Sequence, residues 1–114
     1  MSKETRPIID QKLLNAWQRM LPTTLNETDR AEVRADEEDP HALRIHIDTA
    51  GHTKYGFDFI CIYMDSREVK VVFSDVDRAN RSIDEHTEII QTLIEDYVRH
   101  IHECAQILQE ITHA

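Results

Sequence analysis

The sequence predicts a two-layer α+β domain: an N-terminal helix, a three- to four-stranded antiparallel β-meander and a long amphipathic C-terminal helix. Three observations carry this. Apolar residues recur at helical spacing between Pro7 and Met20. The pattern then changes to alternation, clearest from Ala42 to Val76. From Ile83 to Ile111 the helical period returns without a glycine or proline to interrupt it.

The first helix is expected from about Pro7 to Met20. Proline suits a first helical turn, where its missing N–H has no partner to lose. Ile8, Leu13, Leu14, Trp17 and Met20 form one stripe. Leu21-Pro22 is expected to end the helix, because the residue before a proline is pushed out of the α region. A polar connector, Thr23 to Asp29, follows.

Arg30 to Asp36 reads as a short, polar edge strand with Val33 as its best apolar residue. The acidic run from Asp36 to Pro40 then breaks the chain direction. Ala42 to Thr49 alternates cleanly: Leu43, Ile45 and Ile47 share one face, and Arg44, His46 and Asp48 share the other. Tyr55 to Met64 is rich in aromatic and β-branched residues. Arg67 to Val76 places Val69, Val71 and Phe73 on one face and Glu68, Lys70, Val72, Ser74 and Val76 on the other. The connections are short, so these strands pair as a meander.

Ser82-Ile83-Asp84-Glu85 has the form of a capping box, with a serine hydroxyl and a glutamate carboxylate able to bond each other's backbone amides. It places the final helix over about residues 83–111. Such a helix is about 45 Å long, against about 33 Å for a ten-residue strand. The helix is therefore expected to overhang its sheet, leaving Ile107, Leu108 and Ile111 in need of cover. Tyr55 to Met64 makes a similar demand. Phe57, Phe59, Cys61 and Tyr63 face one way, and Ile60, Ile62 and Met64 face the other. A strand apolar on both faces is covered on both. A homodimer is expected, with Ile60, Ile62, Met64, Ile107, Leu108 and Ile111 at its interface.

Composition bounds the function. The chain has 114 residues, room for one domain over 1–114 with one core. Its 40% hydrophobic content excludes a wholly disordered chain. The net charge of −9 repels phosphate backbones and anionic lipid, so neither nucleic acid nor membrane is an expected partner. No apolar run reaches the roughly 20 residues of a membrane span. The polar start lacks the form of a secretory leader, so a cytoplasmic location is expected. Cys61 and Cys104 fit it as free buried thiols.

Chemistry-bearing groupings are few. Asp58 interrupts the face shared by Ile60 and Ile62, and a carboxylate there needs a partner, Arg44 or Lys70. With His46, Asp48 and Ser74 it forms a weak candidate for a hydrolytic site. Asp96, His100 and Cys104 follow one another at four-residue spacing on the last helix, a weak candidate for a metal site. The bland alternatives are an exposed ion pair and a core cysteine. The acidic run Asp36 to Asp39 lacks the ligand spacing and glycine of an EF-hand loop. There is no phosphate-binding loop, nucleophile elbow or dinucleotide fingerprint, and no cofactor is expected. In architecture and acidity, though in no residue motif, the chain resembles small dimeric secretion chaperones, which are α+β and present apolar surface to a client. The expected function is a non-catalytic, dimeric protein-interaction domain. The alternative is a small enzyme or metal-binding protein using the polar sheet face or the last helix.

Overall fold

The structure is a computed structural model that describes residues 6–49, 55–78, 81–82 and 88–112. The elements run α1 (Gln11–Thr24), β1 (Arg30–Ala35), β2 (Ala42–Asp48), β3 (Tyr55–Tyr63), β4 (Val69–Arg78), β5 (Arg81–Ser82), α2 (Glu88–Ile107) and α3 (Gln109–Thr112). β1 to β4 form an antiparallel meander in sequence order, with the two-residue β5 added beside β4. This is the expected α+β arrangement.

The first helix starts later and ends later than expected. Asp10, not Pro7, sets its start: the Asp10 carboxylate accepts the Leu13 N–H at 2.9 Å. The preceding residues are held away from helical geometry by the chain beside them. Ile9 N–H donates to the Pro40 carbonyl at 2.8 Å, and the His41 ring lies 3.0 Å from the Pro7 carbonyl. Pro22 sits inside the helix, which continues to Thr24. Leu21 is fully buried, so packing outweighs the local preference of a pre-proline residue. The Leu25 N–H closes the end on the Pro22 carbonyl.

Both helices pack on one face of the sheet. α1 lies against β1 and α2, and α2 lies against β4. One core results. Leu43, Ile45 and Ile47 of β2 and Phe57, Phe59, Cys61 and Tyr63 of β3 meet Trp17 and Leu21 of α1 and Ile94, Tyr97, Ile101 and Cys104 of α2. The Trp17 indole N–H donates to the Tyr63 hydroxyl at 3.0 Å, with the rings edge to face, so the polar tips of two buried aromatics satisfy each other.

Alternation fails at one place in β4. The register shifts opposite Asp58/Phe59: Asp58 pairs with Asp75, while Phe59 pairs with Phe73. Ser74 is the extra residue of a β-bulge, so Val76 turns inward opposite Phe57 and is 2% exposed. The expected placement of Val76 beside Val72 on the polar face is thereby corrected.

The final helix is shorter than expected. α2 has 20 residues, about 30 Å, which matches the sheet rather than exceeding it. The chain then breaks at Leu108 and α3 turns onto the β3–β4 connection, where Thr112 Oγ1 donates to the Ser66 carbonyl at 2.8 Å and Gln109 to that of Arg67 at 3.2 Å. The expected overhang is absent. Ser82, the expected cap, is paired with Asp77 in β5. The other residues of that capping box lie outside the described residues. No helix among the described residues is long and apolar enough to cross a membrane.

Candidate functional site: a mixed-charge hollow on the open sheet face

With both helices on one side, no layer among the described residues covers the opposite face of the sheet. Strand register arranges its side chains in rows. One row runs Glu32, His46, Asp58, Asp75 across β1 to β4. The next runs Arg34, Arg44, Ile60, Val72. Asp48 stands beyond the first row, and Ile62 and Lys70 beyond the second. The face is therefore acidic toward one end, basic on β1 and β2 toward the other, and apolar on β3 and β4. A hollow of about 580 Å³ lies over it, lined by Glu32, Arg34, Arg44, His46, Asp58 and Asp75, among others.

His46 sits at its centre. Nδ1 lies 2.7 Å from Asp58 Oδ1, and Nε2 lies 2.9 Å from Asp48 Oδ1. With both carboxylates ionised, both contacts are hydrogen bonds only when both ring nitrogens carry hydrogen, so the geometry favours the imidazolium. Partial burial pulls the ring's pKa down. The bonds to Asp58 and Asp48 and their negative charges outweigh it and hold the pKa above its ordinary value. Asp58 thus has His46 as its partner, directly across the ladder, and neither of the expected Arg44 and Lys70.

Arg44 turns to the acidic loop. Its Nε donates to Asp36 Oδ1 at 2.6 Å, and Asp36 Oδ2 accepts the N–H groups of Glu38 and Asp39. The Arg44 guanidinium, with the Asp39 amide, holds the Asp36 carboxyl below its usual range. The acidic run is a turn built on its own backbone amides.

The other expected sites separate. On α2, Asp96 pairs with Arg99 at 3.2 Å, and His100 Nδ1 lies 2.9 Å from Glu103 Oε1. Cys104 is fully buried, and burial pushes its thiol up to about 12, away from the thiolate a metal needs. Among the described residues no three His, Cys, Asp or Glu side chains are grouped to hold a metal ion. Of the expected interface residues, Ile60 and Ile62 are half-buried on the open face, and Met64 and Ile107 are 51% and 48% exposed. Leu108 is 4% exposed within its own core, and Ile111 packs half-buried against it. The chain itself thus covers Leu108 and much of Ile111, while Ile107 stays exposed.

Sequence reasoning reached His46, Asp48, Asp58 and Ser74. It missed Glu32 and Asp75. Glu32 alternates in phase with Arg30 and Arg34, a legible signal once β1 is paired. Asp75 faces the hollow only because of the bulge, which nothing in the composition of β4 announces. Comparison of the chain with protein-family models, curated proteins and solved structures returns no match.

Proposed function

We propose that this protein is a non-catalytic interaction domain of the cytosol, which acts as a homodimer and binds a basic, amphipathic protein segment on the open face of its sheet. The observation that carries the reading is the placement of both helices on one face, which leaves Ile60, Ile62 and Val72 half-covered beside four carboxylates. A segment with apolar residues over the isoleucines and lysine or arginine over Glu32, Asp48, Asp58 and Asp75 would complement it in both respects. The net charge of −9 favours the approach of such a segment. Two free buried thiols support the cytosolic location.

Binding is favoured over catalysis by the state of His46. A general base needs a ring nitrogen with a free lone pair, and both of its nitrogens face carboxylates within 2.9 Å.

The test is a titration of the isotope-labelled protein with an alternating lysine–leucine peptide, followed by amide chemical shifts. Shifts are expected to cluster on residues 44–48, 58–62 and 70–75. An alternating glutamate–leucine peptide should leave them in place, and the double change Ile60→Thr with Ile62→Thr should weaken binding about tenfold. Shifts on α1 and α2, or spread evenly over the acidic surface, would refute the reading.

A further inference from the structure

The free edge of β1 carries a charge pattern that is its own complement. The Asp36 N–H bonds the Ala42 carbonyl of the neighbouring chain segment, so residues in phase with Asp36 direct their backbone groups toward β2. Ala31, Val33 and Ala35 direct theirs to the open edge. The Gln18 side chain reaching the Val33 carbonyl from α1 at 2.9 Å agrees with this. The strand pairs with β2 without a register shift, lies at the end of the sheet and reads Arg30-Ala-Glu-Val-Arg-Ala-Asp36.

An antiparallel pairing of this strand with itself, centred on Val33, sets Glu32 opposite the partner's Arg34 and Arg34 opposite the partner's Glu32. Arg30 comes opposite the partner's Asp36. Ala31 meets the partner's Ala35, and Val33 meets its own counterpart on the helix side. The residues that direct backbone groups outward form the hydrogen-bonded positions. The charged residues therefore fall at the non-hydrogen-bonded positions, where facing side chains lie closest. Centring on Glu32 sets Glu32 against itself and Arg30 against Arg34. Centring on Arg34 sets Arg34 against itself and Glu32 against Asp36. A shift of one residue mixes the faces. Of these registers only the Val33-centred one matches charge and face together.

Within the chain these charges are poorly served. Arg34 stands opposite Arg44, whose own partner is Asp36. Glu32 and Arg34 make no ion pair among the described residues. An exposed edge strand invites pairing, and charges placed on it select the pairing allowed.

We propose that two copies of this chain join through antiparallel pairing of their β1 strands about Val33, forming one continuous ten-stranded sheet with the helices of both on one side. The Val33 carbonyl exchanges the Gln18 side chain for the partner's Val33 N–H. The two open faces then lie side by side, with Glu32 of each taken up by the partner's Arg34 and the rest of each face left uncovered. This inference rests on the homodimer proposed above and specifies where its copies meet.

Charge reversal tests it. Arg34→Glu and Glu32→Arg each place like charges across the two-fold. Each is expected to weaken self-association about tenfold or more in sedimentation equilibrium. Mixed in equal amounts, the two variants restore both opposite-charge pairs, and a heterodimer within about threefold of the native affinity is expected. Arg34→Glu also relieves the Arg34–Arg44 juxtaposition within the chain, so its loss of association cannot be put down to unfolding, and circular dichroism melts check both variants. A native dimer indifferent to either reversal, or variants that fail to associate when mixed, would overturn the β1 interface and leave the homodimer standing. A native protein that stays monomeric at about 100 µM, a concentration at which even a weak dimer is populated, would overturn both.

Discussion

His46 shows how a residue's chemistry is decided by what stands across the ladder from it. On its own strand it is a surface histidine between Arg44 and Asp48. Across the ladder it meets Asp58, and the two aspartates favour its cationic form. A folded-state pKa above the unfolded one means that its stabilisation is complete below the ordinary histidine value of about 6.5 and is lost as pH rises through the folded pKa. The side chain is 34% exposed, so solvent screening limits the effect to about 1 kcal/mol or less. Urea denaturation of the native protein and His46→Gln should differ most below pH 6 and converge toward pH 8. An unchanged or widening gap would contradict the assignment. Tyr63 makes a different demand. Its hydroxyl is the acceptor for a buried indole N–H, so Tyr63→Phe leaves that donor without a partner and is expected to destabilise by about 1–3 kcal/mol.

At the scale of the element, the β4 bulge has the largest consequence. One extra residue moves Val76 into the core and swings Asp75 to the open face beside Ser74. Val76→Ala should therefore destabilise by about 2 kcal/mol, with Val72→Ala well under half of that, as thermal or urea unfolding can measure. Equal effects would restore the regular alternation that the sequence suggests. Deleting Ser74 should leave both ladders paired, since Asp75 then follows Phe73 in phase. Pro22 makes a related point about helices. A pre-proline residue disfavours helix, yet the burial of Leu21 carries the helix two residues beyond the proline.

At the scale of the molecule, one core joins the sheet to both helices. Cys61 of β3 and Cys104 of α2 are buried in it, and burial pushes both thiols up. Neither should react with a thiol reagent in the native state, and both should become reactive together as the core opens. Much faster labelling of Cys104 would show α2 leaving the sheet independently. The same two-layer arrangement leaves the face opposite the helices uncovered among the described residues.

Element order, the meander, the inward faces of β2 and β3 and the amphipathic stripe of α2 were legible in the residues, because each is written in local periodicity. The polar face bearing His46, Asp48 and Asp58 was legible for the same reason. The side of the sheet on which α1 packs was not, since either face of a doubly apolar strand could have received it. Nor were the Asp10 cap, the bulge at Ser74 or the length of α2, each of which depends on contacts with segments remote in sequence. The sequence alone determined which residues could be inside. The tertiary structure decided that one face of the sheet would stay open, because two helices on the same side bury a single shared core and leave Ile60 and Ile62 on the other.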